Sequence, residues 1–253
     1  MIVTPLKTDI VLPEEQSLLQ FLDRNLTRFP EHSILAISAK VIALCEGRTA
    51  DLSVDKESLI EAEADYFLPK EYRRFGASGT IIHHAFIGAA GIDESNAAGT
   101  YVLLPKDPQQ TAGAIYNALK KRFAVDRIGV LITDSHSTPM RRGASGVALA
   151  YRGFVGLRDY RGKPDLFGRK LIMEQANLPD ALACAAVLTM GEGDEQTPLA
   201  LIEGIPHITF DETAPTKEEL SQFFVNLEDD IFAPLINFQH LKKTRSRDTP
   251  LHS

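Results

Sequence analysis

Residues 127–133 read Arg-Ile-Gly-Val-Leu-Ile-Thr, apolar at almost every position, and run straight into Asp134. A short apolar run without polar alternation suits a strand covered on both faces, so this segment belongs well inside the fold. A carboxylate at the end of such a strand needs a partner, because burying an uncompensated charge is costly. Arg141 and Arg142 follow a few residues on, as an ion-pair partner for Asp134 or as a clamp for a phosphate or substrate carboxylate.

Two further acidic segments share its chemistry. Asp93 lies in Ala90-Gly91-Ile92-Asp93-Glu94-Ser95-Asn96, and Glu192 and Asp194 lie in the glycine turn Met190-Gly191-Glu192-Gly193-Asp194-Glu195. Taken alone, Asp93 reads as a helix cap or turn former more readily than as a ligand. Together the three segments place hard oxygen ligands beside small residues that let backbone N–H groups approach an anion. That pairing suits a magnesium-type ion held against a polyphosphate. A Walker-type phosphate loop and a complete dinucleotide glycine fingerprint are both absent, and Gly143–Gly146 and Gly191–Gly193 are only fragments. His83 and His84 fall in an apparent strand, where neighbouring side chains face opposite ways, which argues against a shared zinc ion. His136 follows Asp134 closely enough to touch a substrate or to form a local hydrogen bond.

At 253 residues, with 44% hydrophobic and 24% charged residues, the chain has material for a sizeable core in one large domain or two small ones. The formal charge of −7 argues against a nucleic-acid binder. The cluster Lys242, Lys243, Arg245 and Arg247 precedes Thr249-Pro250 in a polar tail and reads as a solvated terminus. Cys45 and Cys184, in apolar surroundings, read as small buried hydrophobes rather than a disulfide. Pro5, Lys7 and Asp9 interrupt any signal-like opening, and no apolar run approaches the ~20 residues of a membrane helix, so the expected compartment is the cytoplasm, without membrane association.

Leucines 18, 19, 22 and 26 predict a helix over residues 14–29. Strands are expected over 33–44, 80–87, 100–104, 146–151, 170–175 and 199–203, and helices over 55–67, 108–123, 176–190 and 217–227. Asn177 and Pro179 mark the start of the 176–190 helix. Without a regular βαβ rhythm the expected class is α+β with mixed sheets. No linker composition divides the chain, so residues 1–253 are expected to form one unit of two lobes.

Five spaced segments, in one order along most of the chain, carry a resemblance. They are Ser38-Ala39-Lys40-Val41-Ile42 leading to Glu46-Gly47-Arg48, residues 90–96, Ile132-Thr133-Asp134-Ser135 with Arg142-Gly143, Asp165-Leu166-Phe167-Gly168-Arg169, and Met190-Gly191-Glu192-Gly193. In these the chain resembles the coenzyme F-420 gamma-glutamyl ligase family. The resemblance implies a GTP-dependent ligase that uses Mg²⁺ or Mn²⁺, adds L-glutamate to a carboxylate acceptor, and forms an intertwined homodimer of two-lobed monomers. It implies that Asp93 and Asp134 hold one metal and that Ser135 and Glu192 contribute to a second. Ser38, Asn96, the turn containing Gly191, Gly193 and Asp194, and the backbone of residues 10–13 then contact the nucleotide. Arg141 or Arg142 steadies the transferring phosphoryl group or a substrate carboxylate. The chain departs from the family pattern at Pro13, Leu44, Cys45 and Ser135-His136-Ser137-Thr138-Pro139. These departures leave open ATP in place of GTP, a folate or other carboxylate cofactor as acceptor, and a metal- or nucleotide-binding regulatory protein without ligase activity.

Overall fold

A computed structural model describes residues 1–75, 78–235 and 240–244. Strand β1 (Ile2–Leu6) leads into helix α1 (Leu18–Asn25), strand β2 (Ile34–Ser38) and helix α2 (Ala39–Cys45). Next come β3 (Thr49–Asp51), α3 (Lys56–Glu63), β4 (Tyr66–Phe67), β5 (Thr80–Ile82), β6 (Ala85–Phe86) and β7 (Thr100–Val102). After helix α4 (Pro108–Phe123) follow β8 (Gly129–Ser137), β9 (Ala144–Arg152), β10 (Leu157–Asp159) and β11 (Gln175–Asn177). Helix α5 (Leu178–Met190), β12 (Leu199–Glu203), α6 (Lys217–Phe223) and β13 (Lys242–Lys243) complete the order. The class is α+β with mixed sheets, as expected.

The apolar run becomes the buried half of β8, inside a sheet of order β1-β12-β2-β8-β9. Only β2 and β8 pair in parallel; the other pairings in this sheet are antiparallel. Period-two alternation divides its side chains between two cores. Leu35, Ile37, Val130 and Ile132 pack with Phe21, Ile42 and Ile115 of α1, α2 and α4. Ile34, Ala36 and Leu131 face Leu182, Ala183 and Ala186 of α5. A strand with a core on each face has no use for polar alternation, which is why residues 129–133 read as they do.

Several local expectations shift. The predicted strand over 33–44 ends at Ser38 and continues as α2; every residue of that stretch except Ser38 and Lys40 is buried, so apolarity could not separate strand from buried helix. Residues 80–87 form a hairpin rather than one strand, with His83 and His84 in its turn at φ 49° and 59°. Strand pairing near 170–175 reduces to one bridge between Pro164 and Lys170 until β11 begins at Gln175. Helix α1 starts at Leu18, not at residue 14, because Ser17 and Gln20 close a capping box there. Helix α4 and strand β12 keep their expected limits, and Asn177 caps α5 by accepting from the Asp180 N–H.

Cys184 is exposed rather than buried, its thiol 3.1 Å from the Gly146 carbonyl, while Cys45 is half-buried and both are free. Burial, and then Glu46, push the Cys45 thiol up to about 11. In the basic tail, Lys242 and Lys243 pair with β4, whereas Arg245, Arg247, Thr249 and Pro250 lie outside the described residues. Among the described residues no helix is long and apolar enough to cross a membrane.

Candidate active site

Because β2 and β8 run parallel, their C-terminal ends arrive at one edge of the sheet, with Ser38 registered against Thr133. Asp134 is the next residue, and it belongs to β8 itself rather than to a following loop. The β8–β9 register slips between Ile132 and Thr133, leaving Leu149 as an extra residue on β9 immediately before the acidic position. Such a bulge twists the ladder and re-aims the side chains beside it. A cavity of about 670 Å³ opens at this edge. Ser38, Asp93, Asn96, Asp134, Ser135, Gly191, Glu192, Gly193 and Asp194 all line it, although they come from four separated stretches of sequence.

Asp93 reaches the cavity on a loop held from both sides. Its backbone pairs with Val102, at 3.0 Å and 2.9 Å, and the preceding short turn is pinned where the Ala90 N–H donates to Thr80 Oγ1 at 2.8 Å. The Ser95 N–H and hydroxyl fold back onto the Asp93 carboxylate at 2.9 Å and 2.7 Å. The Lys40 ammonium, from α2, donates to Asp93 Oδ2 at 2.6 Å and to the Ser95 carbonyl at 3.0 Å. Desolvation pushes the Asp93 carboxyl up, but the bonds from Lys40 and Ser95 outweigh it and hold the group down at about 2.

Asp134 has the opposite balance. It keeps some accessible surface at the cavity wall, yet protein encloses it closely, and desolvation pushes its carboxyl up to about 7. The negative charges of Glu192 and Asp93 add to that rise; the Ser135 N–H and the Lys40 charge offset only part of it. Among the described residues neither Arg141 nor Arg142 pairs with Asp134. Both arginines are exposed on the turn after β8 and stand off the cavity wall, with Arg141 bonding the neighbouring Met140 carbonyl.

The glycine turn follows α5. Gly191, at φ 82° and ψ 171°, adopts backbone open to glycine alone, and a Cβ there would strike the Glu195 carboxylate. Gly193 has no such requirement; its N–H donates to Glu195 Oε2 at 2.8 Å. The turn thus already offers a backbone donor to an anion, here its own glutamate. Asn96 Nδ2 bonds the Gly193 carbonyl at 2.9 Å and ties the Asp93 loop to this turn. Residues 10–12 form a lip secured where the Thr8 N–H meets the Gln196 carbonyl and the Asp9 N–H meets Asn25 Oδ1. Leu44 and His136 also line the cavity, the latter with Nδ1 3.1 Å from the Phe86 carbonyl.

Lys40 is the residue that the sequence reading missed. It sits inside the Ser38–Ile42 element, but only the fold shows its ammonium crossing to Asp93. Of the described residues around the cavity, Asp9, Asp93, Asp134, Glu192, Asp194 and Glu195 are acidic, and Lys40 alone is Lys or Arg. Among the described residues no three His, Cys, Asp or Glu side chains converge as a ready-made metal cage. A hard cation that keeps waters and phosphate oxygens as ligands asks for only one or two carboxylates, and Asp134, enclosed and facing two other carboxylates, fits that demand.

The chain matches the family model described as F420-0:Gamma-glutamyl ligase over residues 75–204. It is similar to the coenzyme F420:L-glutamate ligase of Methanopyrus kandleri, 44% identical over 117 residues that make up 46% of each chain. The protein of that name from Methanocaldococcus jannaschii is 40% identical over 126 residues, 49% of this chain and 50% of the relative. With both of these, the chain spans about half the relative's length. A longer match, 33% identical over 191 residues, joins 67% of this chain to 74% of the Halobacterium salinarum coenzyme F420:L-glutamate ligase.

Proposed function

The chain belongs to the F420-0:gamma-glutamyl ligase family, and from that premise we propose that it joins L-glutamate to the carboxylate of a deazaflavin coenzyme F-420 precursor at the expense of GTP. The observation that carries this reading is the charge of the cavity. Six carboxylates against one ammonium repel a bare triphosphate, so a polyphosphate enters only in company with cations.

Asp93 and Asp134 are the residues suited to hold one Mg²⁺ or Mn²⁺, and Ser135 and Glu192 a second. Such ions, when bound, neutralise charge that develops on phosphate oxygens. The backbone at Gly191–Gly193, together with Ser38, Asn96 and the 10–12 lip, aligns the triphosphate. The acceptor carboxylate oxygen attacks the γ-phosphorus as the bond to the β-phosphate oxygen breaks, giving an acyl phosphate and GDP. The glutamate amine then attacks the acyl carbon; phosphate leaves with the C–O bonding pair, and the amine loses a proton to solvent. Walls formed by Val41, Leu44, Ile92 and Val102 keep water from the acyl phosphate.

A homodimer accords with the segment between β10 and β11, where Leu166, Phe167, Ile172 and Met173 stand exposed in one stretch. A run of large apolar side chains in water suits a partner surface. The test is turnover of purified protein with labelled L-glutamate, the deazaflavin precursor, GTP and Mn²⁺. One GDP and one phosphate per γ-glutamyl product are expected. Nucleotide hydrolysis that ignores both acceptor and glutamate refutes the proposal.

A further inference from the structure

We infer that Lys40 is a resident counter-cation at the candidate metal position, and that it must leave Asp93 before a divalent ion binds there, which couples metal binding to the arrival of a polyphosphate. The inference rests on the metal reading above and adds a means of regulating that same site.

The geometry is specific. The Lys40 ammonium has three hydrogens, and its three acceptors are Asp93 Oδ2 at 2.6 Å, the Ser95 carbonyl at 3.0 Å and Ser95 Oγ at 3.3 Å. One of those oxygens, Asp93 Oδ2, belongs to the carboxylate on which a hard cation there would draw. Its side chain is mostly enclosed, 27% exposed against 45% for Asp93, so solvent screens the pair only in part. A lysine stem projecting from the first turn of α2 cannot retreat into the apolar core, where its charge would lie unpaired. Lys40 therefore leaves Asp93 most readily when a new anion enters to meet its charge. A phosphate group entering the same cavity supplies one, whereas a metal ion arriving alone does not. Metal alone must compete with an ammonium; metal with polyphosphate need not.

The experiment is calorimetric titration of Mn²⁺ into wild type, Lys40→Met and Lys40→Arg, each with and without inorganic pyrophosphate. Wild type should bind Mn²⁺ weakly alone and at least about tenfold more tightly with pyrophosphate, given the repulsion between charges a few ångströms apart. Lys40→Met should bind Mn²⁺ alone at least about tenfold more tightly than wild type, with most of the pyrophosphate effect gone. Lys40→Arg should behave as wild type. Ser95→Ala, which removes one acceptor of the ammonium, gives an independent variant and should move Mn²⁺ affinity in the same direction as Lys40→Met, by less. Mn²⁺ binding with pyrophosphate that persists while Lys40→Met shows no gain in Mn²⁺ affinity alone overturns the counter-cation role and leaves the metal reading standing. No Mn²⁺ binding by any variant under either condition overturns both.

Discussion

Replacing Asp134 by Asn separates a carboxylate placed for a cation from one placed for structure. In the metal-free protein the Asp134 carboxyl is pushed from 3.8 up to about 7, first by desolvation and then by Glu192 and Asp93. A folded-state pKa above the unfolded value means the fold prefers the protonated form. Stability from this group is therefore lost as pH rises from about 4 to about 7, and the penalty is full above that window. At about 1.4 kcal/mol per unit the shift has a ceiling near 4 kcal/mol. Water at the cavity wall screens part of it, leaving roughly 1–2 kcal/mol. Asp134→Asn keeps the shape and removes the charge. It should raise the melting temperature of metal-free protein at pH 8 by roughly 2–8 °C, using 2–4 °C per kcal/mol for a chain of this size. At pH 5 the gain should fall to less than half. The stabilisation that Mn²⁺ with pyrophosphate gives wild type should disappear in the variant, together with turnover, because an amide supplies no charge to the ion. Differential scanning calorimetry at the two pH values, with and without Mn²⁺ and pyrophosphate, measures the stabilities, and labelled-glutamate incorporation measures the turnover. A metal-free variant that melts below wild type at pH 8 refutes the reasoning, since it shows the carboxylate to be compensated by the protein.

Gly191→Ala should be the more damaging change in the glycine turn, combining a forbidden backbone conformation with collision against Glu195, and should raise the KM for the nucleotide; Gly193→Ala, at ordinary φ, should shift it by only a fewfold. Steady-state kinetics that rank the two the other way would remove the turn from the nucleotide contact. Asn96→Ala loses the 2.9 Å bond to the Gly193 carbonyl, worth about 1 kcal/mol, and should raise the same KM several-fold while lowering the melting temperature by roughly 2–4 °C. Light scattering should report about twice the 27.9 kDa chain mass, and Phe167→Asp should shift it toward the monomer. A monomeric wild type with full turnover would break the dimer reading.

How far the site was legible in advance follows from the range of each signal. Asp93, Asp134 and Glu192 stood out because each is a carboxylate beside small or buried residues. That they share one cavity was not visible, since residues 93, 134 and 192 meet only through the parallel β2–β8 pairing and the return of α5. Arg141 and Arg142 looked like partners of Asp134 because they are near in sequence. Asp134 lies within a strand and the arginines on the exposed turn beyond it, so proximity along the chain did not become an ion pair. Lys40 failed in the opposite sense, being 53 residues from the carboxylate it bonds.

Local chemistry alone determined the capped helices α4 and α5, strand β12, the buried half of β8 and the α+β class, because caps, prolines and apolar runs act over a few residues. The split of residues 33–44 into strand and helix, the histidine turn, the β8–β9 register slip and the ionisation of the cavity were decided by tertiary structure. Burial on every face erases the periodicity that tells helix from strand. A carboxylate's charge state is set by groups that the chain brings near it from afar: Lys40 holds Asp93 ionised, while enclosure beside Glu192 and Asp93 pushes Asp134 up to about 7.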